Sequence, residues 1–140
     1  MAQTDEIKTS WVTKWDKREK PWGYEMVWSS FMSGHGKLLF LKKGHRTSLK
    51  FNTRKSESLL ILSGSVTAHF GDELSIEHPV AHPIKIEELQ AGMILNVQSG
   101  CPYRLEAINE DAQIIEIGDW LSDKSIRIED DYGRPCTENA

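Results

Sequence analysis

Cysteine is nearly absent. The 140-residue chain has two, Cys101 and Cys136, far apart and in no C-x-x-C spacing, which excludes a disulfide framework, a zinc ribbon and a dithiol redox motif. An excess of positive charge is also missing. Seventeen Lys and Arg stand against 21 Asp and Glu, mixed along the chain at a net charge of -4, so there is no electrostatic footprint for a phosphate backbone. No nucleic-acid partner is expected. No apolar run approaches the length of a membrane span, and Met1 to Ser10 is polar and acidic where a signal peptide carries an apolar core. The expectation is a cytoplasmic protein with no membrane partner. With 39% hydrophobic and 27% charged residues, what remains is the composition of one ordinary folded domain.

Long helical periodicity is missing too, and short runs of branched and aromatic residues take its place. They lie at Tyr24–Phe31, Lys37–Leu41, Thr47–Asn52, Ser58–Leu62, Val66–Phe70, Ile84–Glu87, Met93–Val97, Tyr103–Ala107, Gln113–Ile117 and Ser125–Ile128. Glycine-rich or polar breaks such as "SGHG", "SGS" and "QSGCP" separate them. Many short strands with regular turns predict an all-β fold, and strands apolar on both faces, such as "LLILSG", favour a closed two-sheet barrel with a mouth. We divide the chain into an N-terminal arm at 1–20, a β-domain at 21–134 and a tail at 135–140. In the arm, Trp11 and Trp15 are four apart, so a short helical turn would place both indoles on one side, over an open end of the core or in a dimer contact. The loop from Gly71 to Pro83 is expected to be a plain connection.

One stretch, "SLKFNTRKSESLLILSG" from Ser48 to Gly64, raises a chemical question. Ser48, Lys50 and Asn52 share one face of a strand, which either meets water or lines a cavity. Glu57 is the last charge before an apolar run and needs a partner there. A half-buried ion pair with Lys50 and an acid/base pair in a pocket both meet that need.

The spacing of this stretch resembles the first cupin motif: Gly44, five residues, Lys50-Phe51-Asn52, four residues, Glu57, six residues, Gly64. The second motif is matched by Gly92, "MILNV", Gln98-Ser99-Gly100, two residues, Tyr103, three residues and Ala107. Together with "KPWGYEMVW" and "IRIEDDYGR", these segments make residues 20–134 resemble the cupin domain of type II phosphomannose isomerases. The resemblance implies a jelly-roll barrel and a metal held at positions 50, 52, 57 and 103. Only Glu57 is retained of those ligands, so we expect no metal and no other cofactor, with the Lys50 ammonium replacing the ion's charge beside Glu57. The five histidines are assigned structural or surface roles, with His35 and His45 in turns.

Function is then expected to be the binding of a sugar or sugar phosphate in the barrel, with the isomerase reaction either metal-free or lost. Lys50, Glu57 and Tyr103 are the candidate catalytic groups. Asn52 and the arginines Arg46, Arg54, Arg104 and Arg134 are the candidate ligand contacts. A metal-independent nucleotide-sugar epimerase or ketoisomerase and a non-enzymatic binding or assembly module remain open as alternatives. The resemblance also implies a homodimer formed through edge strands, with the tryptophan arm taking part.

Overall fold

The computed structural model describes residues 7–119 and 125–135. Cys136, most of the tail and the first six residues lie outside that range. Among the described residues there are twelve strands and no helix. The strands are β1 (Asp16–Lys20), β2 (Gly23–Ser29), β3 (His35–Leu41), β4 (His45–Arg46), β5 (Leu49–Asn52) and β6 (Glu57–Ser63), then β7 (Ser65–Phe70), β8 (Lys85–Gln90), β9 (Ile94–Val97), β10 (Tyr103–Ala107), β11 (Ala112–Gly118) and β12 (Ser125–Glu129). One antiparallel sheet runs β1-β2-β3-β11-β6-β9, the other β12-β5-β10-β7-β8 with β4 on β10. Each of the ten expected runs contains a strand, although some end residues, Phe31 and residues 47–48 among them, fall outside theirs.

Side-chain alternation turns these sheets into a barrel with two unlike ends. Leu41, Leu59, Ile61, Val66, Leu105 and Ile114 are almost completely buried and fill one end. The other end is polar because the inward register changes chemistry partway along several strands: His35 and Lys37 precede Leu39 and Leu41 on β3, Glu57 precedes Leu59 and Ile61 on β6, and Glu116 follows Ala112 and Ile114 on β11. Antiparallel pairing then superposes the polar halves. Glu116 stands opposite Lys37 and Leu59, and Gly118 stands opposite both His35 and Glu57. The chain crosses between sheets at Gly64, whose φ of 77° and close approach to the Asp111 carbonyl admit no side chain without strain.

Four local expectations are corrected. Residues 16–20, assigned to the arm, pair with β2 as an edge strand, because their register lets Arg18 face the barrel beside Glu25. No helical turn forms around Trp11 and Trp15. Their indoles are 60% and 64% exposed and do not cap the core; Trp11 instead meets Phe31 edge-on at 5.1 Å. His35 lies in β3 and is buried, where a turn was expected, since the sheet captures the two residues before Lys37. His45 belongs to β4, paired with β10, and not to a turn.

Burying a large aliphatic side chain contributes roughly 1.5–3 kcal/mol, and truncating it leaves a cavity in addition. We predict that Ile61→Ala, at the closed end, destabilises the fold by about 2–5 kcal/mol in urea unfolding while leaving the polar end intact. An effect within the range of a surface substitution would refute that placement of the core.

Candidate functional site

The polar end encloses a cavity of about 380 Å³, within the range of small-molecule sites. Ser48, Lys50 and Asn52 line it, so the polar face of β5 borders a cavity and not bulk water. Lys50 is paired across the strands with Tyr103 on β10 and Arg127 on β12. Three chain segments far apart in sequence therefore meet on one wall.

Glu57 is the most connected group. Its Oε1 accepts hydrogen bonds from Tyr103 Oη at 2.7 Å and Asn52 Nδ2 at 2.9 Å, while Oε2 lies 3.2 Å from Lys55 Nζ and 3.8 Å from His35 Nε2. The expected ion pair with Lys50 is replaced by one with Lys55, because the turn after β5 folds Lys55 back over the carboxylate. Lys50 acts on Glu57 and Glu116 at longer range. His35 Nε2 donates to Glu116 Oε2 at 2.7 Å, and the two carboxyl groups are close enough to share a hydrogen bond.

The electrostatics follow from this crowding. Burial and the neighbouring charge of Glu116 push the Glu57 pKa above the ordinary carboxylate value, against the pull of Lys55 and Lys50. Burial penalises the Glu116 charge as well, yet the His35 hydrogen bond with Lys37 and Lys50 holds its pKa below the usual range. One proton between two carboxylates belongs on Glu57. Burial depresses the Lys50 pKa, opposed by both glutamates, and it raises the Tyr103 pKa further in concert with them, so Tyr103 stays a hydrogen-bond donor.

Glu116 was not singled out in the sequence, and His35 was assigned a structural or surface role in a turn. The signal for Glu116 was a lone charge inside "AQIIEIG" at the parity of Ala112 and Ile114, the same signal that marked Glu57. His35 shares the parity of Leu39 and Leu41 but precedes a glycine, which hid it. Its ring lies against Gly118, where any Cβ would collide with it.

Of the four arginines expected to meet a ligand, the structure brings only Arg134 to the cavity. Arg54 is exposed beyond β5. Arg46 and Arg104 lie on the outer face of their sheet, because they alternate with inward residues. Arg46 forms a two-pronged contact with Asp131 at 2.6 and 2.9 Å, and Arg104 bonds the Thr47 carbonyl at 3.0 Å and reaches Glu129 at 3.5 Å. Together with the Tyr132 hydroxyl, which donates to the Arg46 carbonyl, they anchor the segment after β12. That segment presents Arg134, itself braced by Asp130 at 2.7 Å. The loop from Gly71 to Pro83 contributes no residue to the cavity.

No protein-family model matches the chain, and no curated protein does. Solved structures do match. A variant of oxalate decarboxylase from Bacillus subtilis covers 77% of this chain at 19% identity and a TM-score of 0.65, and procruciferin, the 11S globulin of Brassica napus, covers 79% at 13% and 0.65. The fold is a cupin. The capsular polysaccharide assembling protein CapF of Staphylococcus aureus covers 90% at 14% identity and a TM-score of 0.64. The chain spans 28%, 28% and 34% of the lengths of these three, and at such identities the likeness concerns the fold alone.

The resemblance to metal-dependent cupins implies an ion at positions 50, 52, 57 and 103, and the residues there do not fit one. Lys50 offers no lone pair as an ammonium, and Glu57 Oε1 is already engaged by Tyr103 and Asn52. A different set, His35, Glu57 and Glu116, has donor atoms within 4.8 Å of one another. Those atoms are already bound to each other, with Lys55 in direct contact and Lys37 and Lys50 acting on the same carboxylates. A dication would have to displace the hydrogen bonds and face three ammonium groups.

Two outcomes are expected. Because the folded-state pKa of Glu57 lies above its ordinary 4.5, the folded chain holds this proton more tightly than the unfolded one; that stabilisation is complete below 4.5 and lost as pH rises through the folded value. Glu57→Gln, which mimics the protonated acid, should flatten the fall in melting temperature across that window, and an unchanged slope would assign it to another group. Gly118→Ala should displace the His35 ring and break its bond to Glu116, read as a shift of the His35 imidazole signals in NMR; unmoved signals would contradict the packing.

Proposed function

We propose that this cupin binds a sugar phosphate, or a comparably sized anionic sugar, inside the barrel without a resident metal. The observation that carries this reading is the charge of the cavity. Seven lysine and arginine side chains line it against three glutamates, in a chain whose net charge is -4. Arg18, Lys20, Arg127 and Arg134 join Lys37, Lys50 and Lys55 there, and the acidic residues of the lining are Glu25, Glu57 and Glu116. Lys20 and Lys37 face Glu25 at 3.7 and 3.5 Å, Lys55 faces Glu57 at 3.2 Å, Arg18 faces Asp16 at 3.1 Å and Arg134 faces Asp130 at 2.7 Å, so the cations are held in place by carboxylates while still outnumbering those that line the cavity. Cationic side chains converging in a low-dielectric cleft favour an anion. A neighbour of the same fold that assembles capsular polysaccharide is consistent with a sugar as the neutral part.

For chemistry, the cavity holds the Tyr103 hydroxyl, a carboxyl pair within hydrogen-bond reach of each other and a histidine on that pair. Proton transfer next to a sugar carbonyl, the core of aldose–ketose isomerisation, needs a base and a donor to the developing oxyanion. Glu57 with Glu116 and Tyr103 or Lys50 fill those roles in this reading; a barrel that binds without turnover uses the same contacts. His35 favours a second reading. None of the motif positions 50, 52, 57 and 103 holds a histidine that could serve an epimerase or ketoisomerase as acid or base, and the fold supplies one from β3.

The test is calorimetric titration of metal-analysed protein with mannose 6-phosphate, fructose 6-phosphate, free mannose, inorganic phosphate and a nucleotide sugar. We expect binding of the hexose phosphates and a loss of roughly 10- to 100-fold in Lys50→Met, the range for one charge-assisted contact. Preference for the nucleotide sugar would select the second reading. Stoichiometric bound metal, or no binding of any sugar anion, would overturn the proposal.

A further inference from the structure

An antiparallel sheet with one face in a core normally turns polar residues outward. The sheet that contains β11 does the opposite. Across five of its strands the outward positions align in register as Met26, Leu38, Ile115, Leu60 and Ile94, an unbroken apolar row from β2 to β9. Trp28, Ile117 and Leu62 flank the row with about half of their surface exposed. From β2 to β9 no outward position carries a charge. The polar groups on this face are satisfied within it: Ser58 Oγ donates to Asn96 Oδ1 at 2.7 Å, and Ser63 Oγ donates to Gln113 Oε1 at 3.1 Å.

We propose that two copies of this chain pack face to face through this sheet. The area is sufficient. Five strands about 4.8 Å apart, each offering two or three outward residues about 6.8 Å apart, present a plane on the order of 500 Å². Two such faces bury roughly 1,000 Å², the lower bound for a specific interface. The chemistry fits a second copy better than any charged partner, because a face without charge buries no unpaired ion against itself and offers none for another protein to recognise. The geometry agrees as well: Ile115 lies on the middle strand of the five, so a two-fold axis there lays the row on its own copy in the manner of a β-sandwich.

At its β1 edge the same sheet disfavours the edge-to-edge pairing that the sequence suggested. All five residues of its edge strand β1, "DKREK", are charged, a pattern that blocks strand addition.

Sedimentation velocity over a micromolar concentration series tests the proposal independently of any ligand. The unmodified chain is expected at twice the chain mass, and Ile115→Lys and Ile115→Glu each at once the chain mass with an unchanged far-ultraviolet spectrum. An equimolar mixture of the two should return to twice the mass, because opposite charges meet at the axis. Leu62→Lys, at a side chain already 48% exposed, provides a second variant should position 115 impair folding, and it too should halve the mass. A monomeric parent, dimeric variants of either position, or a mixture that stays monomeric would overturn the face-to-face arrangement.

Discussion

Two carboxylates buried in the same end of a barrel set the terms for everything around them. An ionised carboxylate in a low-dielectric interior costs several kcal/mol unless it is paired and hydrogen-bonded. Glu57 and Glu116 meet that demand in different ways. Glu116 is kept ionised by the histidine bonded to it and by two lysines, whereas Glu57 receives a tyrosine, an asparagine and a lysine and still has its pKa raised. The polar half of the barrel is the arrangement that keeps this pair soluble in the protein.

The same requirement accounts for features that otherwise look unrelated. Gly118 lacks a side chain where the His35 ring must pass to reach Glu116. Lysines enter from β3, from β5 and from the turn after it, so the cavity carries more positive charge than its two central carboxylates need. That surplus is the feature on which the proposed binding of an anionic sugar rests. The partners of Glu57 are one amine, Lys55, and two hydrogen-bond donors, Tyr103 and Asn52.

Much of the fold was legible. Period-two alternation and glycine-marked turns located ten strands, because strand formation in a barrel depends on which residues tolerate a face buried against its neighbours. Glu57 was legible for a similar reason, as a charge placed at an inward parity. Edge strand β1 was not, since "DKREK" has no apolar alternation and is held by the register of β2 alone. Nor were the roles of Arg46 and Arg104. Whether an arginine on a strand faces a cavity or clamps a neighbouring segment depends on which face the closure of the barrel turns inward, and both turned outward.

The sequence by itself therefore determined the alternation of the strands, the polar parity of Ser48, Lys50 and Asn52, and the need of Glu57 for partners. Those are local properties, set by side-chain type and a spacing of two. Only the tertiary structure decided which partners arrived. The bond from His35 to Glu116 joins residues 81 apart and that from Tyr103 to Glu57 joins residues 46 apart, and both exist because antiparallel register brings strand ends together. Sheet order decided the outer face as well: Met26, Leu38, Ile115, Leu60 and Ile94 are five scattered apolar residues along the chain, and a continuous surface only once β11 lies between β3 and β6.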